Sequence, residues 1–209
     1  YEPLFRQCSS FYYLSGVNEP GCYLFIDIST GFTVLFYPDI DPEVAMWSGP
    51  LPTLEDLKER YKVDNVIHVS QKDSFLKDKD TSNVLGFDSE VLMDAIGEER
   101  QKKSQGEIVL IDCAAGINNL AYRAVLKKKL VGMYEYQVEA ELQHVYYAHN
   151  CLYPPFQITV GSGPLCAILH YHKKTRRIQD GDLVLIDTGS EYEMYCSDNT
   201  RTFPANGRF

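Results

Sequence analysis

Residues 183–203 read LVLIDTGSEYEMYCSDNTRTF, and this stretch decides the fold of the second half of the chain. The apolar run at 183–186 predicts a buried strand that delivers Asp187 at its end. Asp198 sits in a Ser-Asp-x-Thr-Arg-Thr string at 197–202, where a second strand is expected. We therefore expect residues 183–191 and 194–203 to pair as a β-hairpin.

The simplest register of this hairpin places Asp187 opposite Asp198 on one face of the sheet. Directly opposed side chains lie about 5 Å apart, close enough to share one or two metal ions. Carboxylates are hard oxygen ligands of the kind that Mn²⁺ and Mg²⁺ prefer. The spacing also fits two aspartates at exposed strand ends, and a bulge or longer loop near Tyr192-Glu193 would change the register. Two carboxylates do not fill a coordination sphere, so we expect part of a metal site.

Composition and charge exclude several classes of protein. The 209 residues allow one large domain or two modest ones, and the hydrophobic fraction of 44% is ordinary for a globular protein. A formal net charge of −9 argues against a nucleic-acid partner, since phosphate binding needs a basic face. The apolar runs are too short to cross a bilayer, so no membrane partner is expected. Six cysteines without a CxxC pair are typical of free thiols in a reducing compartment.

The first half of the chain predicts an α/β unit. Its expected elements are strands at 21–29 and 32–37, a helix at 54–61, a strand at 66–69, a polar loop or linker at 71–83, and a short helix at 87–96. Thr30-Gly31 is a tight-turn signal that predicts a hairpin between the first two strands. Thr53 and Asp56 have the spacing of a helix capping box.

The second half predicts an α+β domain, with helices packed on an antiparallel sheet. Ser104 and Glu107 form a second capping box. Apolar residues at helical spacing follow it, and Gly132 is expected to end that helix. The core-facing positions are Leu110, Ala114, Ile117, Ala121 and Ala124 on this helix and Val138, Leu142 and Val145 on the next. The expected strands are 156–160, 166–171 and 183–187.

His170 is the candidate for contact with a substrate. It lies in the sequence ILHYH at 168–172, where alternation along a strand would place His170 and His172 on one face and Tyr171 on the other. An imidazole near a metal can bind a substrate oxyanion or carboxylate. Two histidines on an exposed strand edge are the simpler interpretation of the local pattern. No cysteine has an evident histidine partner, so a nucleophilic cysteine is not expected.

Taken together, these motifs resemble those of a known family. The chain is similar to the Xaa-Pro dipeptidases (prolidases), within the pita-bread metallopeptidase group that includes aminopeptidase P, creatinase and methionine aminopeptidase. The resemblance covers nearly the whole chain. It is carried by FRQ at 5–7, GVNEPGCY at 16–23, LFYP at 35–38, RQKKSQGEI at 100–108, VGMYEY at 131–136, GSG at 161–163, LHY at 169–171, DLVLIDTG at 182–189 and SDNTRTFP at 197–204.

The resemblance implies a fold and a setting. Residues 1–98 would form a creatinase-like N-terminal α/β domain that shapes the site and supports a homodimer. Residues 99–209 would form the first, incomplete half of a pita-bread α+β catalytic domain. Members of the family are typically cytoplasmic, so a cytoplasmic location is expected.

The resemblance also implies a chemistry. Such enzymes hydrolyse dipeptides with a C-terminal proline by means of a water activated by two Mn²⁺ ions. Asp187 would chelate one metal ion, Asp198 would bridge both, and His170 would hold the substrate near the scissile bond.

The departures from the family pattern matter as much. The family completes its metal site with one His and two Glu from strands that would lie beyond position 209, and the connection at 69–100 is shorter than in prolidases. We therefore expect a fragment, a partial chain or a degenerate relative. Little or no metal-dependent activity is expected from these residues alone, and unpaired strand edges are expected to need a covering segment or a partner.

Two alternatives to a dipeptidase stay open. The first is a non-catalytic pita-bread module that binds peptides or partners without metal. The second is an aminopeptidase P, which differs mainly in the length of its substrate. Retention of Asp187, Asp198 and His170 favours an enzyme over a binding module, and the N-terminal motifs do not favour creatinase-like chemistry.

Overall fold

The computed structural model describes residues 4–77, 79, 85–86 and 89–209. The chain divides into two compact units, residues 1–101 and residues 102–209. Each unit has its own sheet, and the hydrophobic core of each is described here by itself.

The first unit is an α/β arrangement around a three-stranded sheet in the order β1-β2-β3. Its elements are α1 (Ser9–Ser15), β1 (Tyr23–Ile26), β2 (Thr33–Tyr37), α2 (Ala45–Ser48), α3 (Leu54–Tyr61), β3 (Asn65–His68), α4 (Lys72–Lys77) and α5 (Glu90–Gln101). The predicted hairpin is confirmed, because β1 and β2 are antiparallel and Gly31 turns the chain between them with a φ of 74°. Strand β3 then pairs with β2 in parallel.

The helix signals of this unit hold in part. The capping box is confirmed, since Thr53 Oγ1 accepts from the Asp56 amide at 3.1 Å and Asp56 Oδ2 accepts from the Thr53 amide at 3.0 Å. The loop predicted at 71–83 is wrong over α4. That helix exists because Phe75 packs edge-on against Phe25 and Phe36, with ring centroids 5.5 and 5.6 Å apart, a partnership that local sequence does not reveal.

The remaining boundaries of the unit differ from those predicted. Helix α5 runs from Glu90 to Gln101, later than the predicted 87–96. Positions 87 and 88 of that prediction, and positions 78 and 80–83 of the predicted loop, lie outside the described residues.

The second unit has two layers, a pair of helices on one face of an antiparallel sheet in the order β4-β5-β8. Its elements are α6 (Gln105–Leu126), α7 (Glu135–Ala148), β4 (Thr159–Ser162), β5 (Leu183–Thr188), β6 (Glu191–Tyr192), β7 (Tyr195–Cys196) and β8 (Asn199–Pro204). Strands β6 and β7 form a small hairpin of their own. The central strand β5 alternates, with Val184, Ile186 and Thr188 fully buried toward the helices.

The helix layer follows its sequence signals closely. The capping box at Ser104 is confirmed, with Ser104 Oγ accepting from the Glu107 amide at 3.3 Å. The predicted core face of α6 is buried at Ala114, Ile117 and Ala121. The helix ends at Leu126 and not at Gly132, because the chain turns early to place Leu130 in the core.

Two predicted strands are misplaced. The segment predicted as a strand at 166–171 is a 3-10 helix over Gly163–Ala167 followed by an exposed turn. Gly163, with a φ of 54°, and Pro164, which lacks an amide donor, turn the chain away from the sheet. The strand predicted at 156–160 begins only at Thr159 and runs to Ser162.

Helix α6 is long and apolar enough to pass a length-and-composition test for a membrane span. The sequence predicted no membrane span, because the uninterrupted apolar runs within this helix are short. The helix is amphipathic, and its buried side packs on α7 and the sheet, as the core helix of a two-layer domain also does.

Gly189, directly after β5, lies where only a glycine fits. A Cβ atom there would stand 1.9 Å from the Ser197 carbonyl oxygen and 2.9 Å from Pro155 Cγ. The backbone at Ser197 therefore lies too close to Gly189 for any side chain to be accommodated there.

Gly189→Ala should lower the free energy of unfolding by about 3 kcal/mol, because the backbone has to move to admit the methyl group. Gly116→Ala is the matched control. Its Cβ position on the exposed side of α6 is open, so this change should raise stability by about 1 kcal/mol. Urea unfolding of the full-length protein measures both, and wild-type stability for Gly189→Ala would contradict the packing described.

Candidate functional site

The hairpin that carries the two aspartates has a register different from the one predicted. Asp187 stands opposite Thr200, and Asp198 directly precedes β8. The turn forms at Glu193-Met194, both with positive φ (47° and 64°), one residue later than expected. The resulting shift of two residues keeps the alternation of faces, so Asp187 and Asp198 are diagonal neighbours on one side of the sheet.

The Asp187 carboxylate is half-buried and oriented from the neighbouring strand. Thr200 Oγ1 donates to Asp187 Oδ1 at 2.7 Å. On the opposite edge of β5, Asp187 is the strand partner of Thr159 of β4, a buried residue. No hydrogen bond to Asp187 Oδ2 is found among the described residues, which leaves that oxygen available to a ligand.

Asp198 is exposed, but the chain beside it is fixed. The Ser197 amide donates to the Ser190 carbonyl at 2.9 Å, and the Ser190 amide donates to Ser197 Oγ at 3.0 Å. Ser190 Oγ in turn donates to the Ala114 carbonyl of α6 at 2.6 Å. This clasp holds the backbone next to Asp198, whose own carboxylate has no hydrogen-bond or ion-pair partner in the described part of the chain.

A buried polar network lies beneath β5, on the helix side. Asn118 Nδ2 donates to the Thr188 carbonyl at 3.0 Å, and Tyr146 Oη donates to Asn118 Oδ1 at 2.7 Å. The Thr188 hydroxyl completes the network at 2.8 Å from Tyr146 Oη. These bonds satisfy polar groups that lie out of water, and they join α6 and α7 to the strand that carries Asp187.

His170 lies in an exposed turn and not on a strand. Its ring faces that of His172, with the centroids 6.4 Å apart and the planes at 25°. Tyr171, between them, points inward and is buried, so the side-chain alternation expected of this segment persists without a strand. The Tyr171 hydroxyl donates to Glu135 Oε2 at 2.9 Å and anchors the turn.

Glu135, at the start of α7, is a fully buried carboxylate that the sequence analysis did not single out. Its Oε1 accepts from the Ser162 amide at 2.8 Å and from Ser162 Oγ at 2.6 Å. Its Oε2 accepts from Tyr171 and from the Arg176 amide, the latter at 3.1 Å. Burial and this carboxylate together raise the pKa of Tyr171, so its hydroxyl keeps its proton and stays a donor.

Two ion pairs fix the segment that runs from His170 to β5. Lys174, buried, binds Glu139 at 2.7 Å and the Ile158 carbonyl at 3.0 Å. Arg176 donates through its two terminal guanidinium nitrogens to both carboxylate oxygens of Asp182. The Arg176 guanidinium holds the pKa of the Asp182 carboxyl below its usual value, although burial opposes this.

The donor set fits part of a metal site. Among the described residues, no group of three or more His, Cys, Asp or Glu side chains is placed to hold one ion together. Asp187 and Asp198 offer carboxylate oxygens that no described hydrogen bond occupies, on one face of a well-fixed sheet. Hard divalent cations take such oxygens.

The residues that support these side chains were missed by the sequence analysis. Thr200 lies within the quoted Ser-Asp-x-Thr string, and its alternation with Asp198 was the available signal. Glu135 carried a weaker signal, as an acidic residue at a helix start where several apolar positions follow.

Comparison with known proteins agrees with this architecture. Residues 105–209 match the model of metallopeptidase family M24, and residues 1–84 match the aminopeptidase P N-terminal domain. The predicted fold is confirmed: an N-terminal domain of the aminopeptidase P type precedes part of a pita-bread domain. The chain belongs to metallopeptidase family M24.

Individual relatives cover nearly all of the chain. Human Xaa-Pro dipeptidase is 35% identical over 99% of this chain and 48% of its own length. A probable Xaa-Pro aminopeptidase of Aspergillus fumigatus is 38% identical over 96% of this chain and 45% of its own. The structure of Escherichia coli aminopeptidase P with the inhibitor Pro-Leu is 30% identical and matches all of this chain and 55% of its own, with a TM-score of 0.84. The chain thus spans about half the length of the curated relatives it matches.

Breaking the Arg176–Asp182 pair should have a pH-dependent effect on stability. The carboxyl of Asp182 has a lower pKa folded than unfolded, so the contribution of the pair is complete above about pH 5 and is lost as the pH falls through the folded pKa. Arg176→Met should therefore lower the free energy of unfolding by about 2 kcal/mol at pH 7.

Thermal unfolding between pH 7 and pH 3 measures this effect, and the deficit of Arg176→Met should narrow toward the acid end. Arg177→Met is the control, because Arg177 is exposed and donates only to the Gly132 carbonyl in the described structure. Its small deficit should not change with pH. An Arg176→Met deficit that is constant with pH would show that the pair does not act through Asp182.

Proposed function

We propose that the intact protein hydrolyses Xaa-Pro dipeptides with two divalent metal ions, Asp187 chelating one and Asp198 bridging both. The observation that carries the proposal is the pair of carboxylates with available oxygens on one face of an M24 sheet. When bound, the metal ions supply a water of lowered pKa at neutral pH. The donor chemistry admits several cations, and we propose Mn²⁺.

The described residues provide only part of what the reaction needs. Two carboxylates leave several coordination positions to other donors. We therefore propose that residues 1–209 alone bind metal weakly and hydrolyse little. Further ligands, from elsewhere in the intact protein or from another chain, would complete the site.

His170 is proposed to hold the substrate near the scissile bond. Its exposed ring is free to meet a ligand, while Tyr171 and Glu135 fix the turn from inside through a 2.9 Å hydrogen bond. An imidazole held in this way can donate to a developing oxyanion or to a substrate carboxylate. The anchored turn supports this role because positioning reduces the cost of ordering the side chain on binding.

Substrate length is the finer part of the proposal. The relatives include an Xaa-Pro dipeptidase and a probable Xaa-Pro aminopeptidase at similar identity. The motifs around Pro20 and His170 favour a dipeptidase, and an aminopeptidase P activity is the alternative. Residues 1–98 are proposed as a domain that supports a homodimer, and the cytoplasm is the proposed location; light scattering of the purified protein tests the former.

Asp187→Asn and Asp198→Asn should each weaken Mn²⁺ binding by more than about 100-fold, since a loss of 10–100-fold is typical even for outer-shell partners. Asp112→Asn, an exposed change on α6, is the charge-matched control and should bind as wild type does. Isothermal titration of the full-length protein measures the affinity. Hydrolysis of Gly-Pro by the same samples measures the activity.

The substrates separate the candidate functions. Cleavage of Gly-Pro supports the dipeptidase, and cleavage of Gly-Pro-Ala alone supports the aminopeptidase. Binding of either peptide at saturating Mn²⁺ without cleavage would favour a non-catalytic peptide-binding module over an enzyme. Wild-type Mn²⁺ affinity in both Asp variants would show that Asp187 and Asp198 do not bind the metal.

His170→Gln should lower kcat/KM for the cleaved peptide by about 100-fold, because the site loses a positioned donor. Mn²⁺ affinity should stay unchanged. His172→Gln is the matched control, because the two rings are neighbours on the same exposed turn, and it should retain kcat/KM within about threefold on the basis of surface exposure. Equal losses in the two variants would contradict a specific role for His170.

A further inference from the structure

Tyr122 is a buried tyrosine on α6 whose hydroxyl contacts two strands at once. Its Oη lies 2.8 Å from the Ile186 carbonyl of β5 and 2.6 Å from the Asn199 carbonyl of β8. Ile186 immediately precedes Asp187, and Asn199 immediately follows Asp198. One hydroxyl proton is therefore shared between the backbone positions next to both proposed metal ligands.

The place of this contact in the sheet is specific. In the register of the hairpin, Ile186 and Asn199 flank the opposed pair Asp187 and Thr200. Tyr122 approaches from the helix side, whereas Thr200 Oγ1 meets the Asp187 carboxylate on the outer side. The same paired segment of β5 and β8 is thus held by hydrogen bonds from both faces of the sheet.

We propose that Tyr122 is a positioning residue for the metal site, fixing the relative placement of the two strands that carry Asp187 and Asp198. This rests on the proposed function, because it assumes that these two carboxylates bind metal. The site that Tyr122 positions would hold a pair of divalent cations, whose binding depends on the separation of the two carboxylates.

Within the described part of the chain, the other polar side chains that bond to the sheet from the helix side do not reach both strands. Asn118 and Tyr146 bond to β5 only, at Thr188. The Ser190 and Ser197 clasp ties the chain to α6 beyond the strands. Tyr122 bonds to both strands directly, on the two sides of the Asp187–Thr200 pair. A rigid aromatic side chain rooted in a helix thus adds a third point of attachment that sets the spacing of two strands already paired in an antiparallel register.

A pair of conservative variants isolates this role. Tyr122→Phe and Tyr146→Phe each remove one buried hydroxyl and keep the ring, and both side chains are almost completely buried. Tyr146 bonds to the side chains of Asn118 and Thr188 and to neither flanking carbonyl. The two variants should lose comparable thermal stability, and only Tyr122→Phe should change the metal site.

The first measurement is Mn²⁺ affinity by isothermal titration of the full-length protein. Tyr122→Phe should weaken it by about tenfold, the lower end of what outer-shell partners contribute. Tyr146→Phe should stay within about twofold of wild type, because Tyr146 bonds to β5 alone, through side chains, and does not link β5 to β8. The second measurement is amide hydrogen exchange in metal-free protein, where Tyr122→Phe should speed exchange in β5 and β8 together.

The outcomes separate the two proposals. No Mn²⁺ binding by the intact wild-type protein overturns the proposed function and, with it, this inference. Binding by wild type with unchanged affinity in Tyr122→Phe overturns only the inference. Equal weakening in both Phe variants also overturns it, because the effect is then one of general stability. Selective weakening in Tyr122→Phe with faster exchange in both strands supports it.

Discussion

The fully buried carboxylate of Glu135 is the group on which the second unit depends. A carboxylate out of water is costly unless its oxygens accept hydrogen bonds, and Glu135 receives four, from Ser162, Tyr171 and Arg176. These donors belong to β4 and to the segment that leads to β5. One charge therefore joins the helix layer, an edge strand and the turn with His170, and loss of any donor would leave it undercompensated.

The sheet of this unit separates support from chemistry. Its helix side packs apolar side chains against α6 and α7, and the Asn118 amide and Tyr122 hydroxyl of α6 bond to its strands. Toward the other side it presents Asp187 and Asp198 with oxygens available to a ligand. The carboxylates need no packing partners of their own, because the backbone beneath them is fixed from the helix side. This division suits a proposed site whose remaining ligands come from another part of the protein.

Local signals predicted much of this fold. The capping boxes at Thr53 and Ser104, the first hairpin and the core face of α6 all depend on neighbouring residues, and all are confirmed. Tertiary effects explain the errors. Helix α4 depends on Phe75 meeting two rings distant in sequence, and the turn at His170 follows from Gly163 and Pro164 and from burial of Tyr171. The fold and the candidate aspartates were thus readable from sequence, but the supporting contacts were not.

Gly189 has a further consequence for how the hairpin finds its pairing. A slip of two residues, into the register that local spacing suggested, would bring Asp187 to the place of Gly189. A Cβ atom at this place lies 1.9 Å from the Ser197 carbonyl oxygen, so the Asp187 side chain would clash with that oxygen. A slipped hairpin would keep every side chain on its proper face, so hydrophobic patterning cannot reject it. The lack of space for a side chain at Gly189 excludes the slipped register sterically. It thereby protects the spacing of the two carboxylates against misfolded pairings.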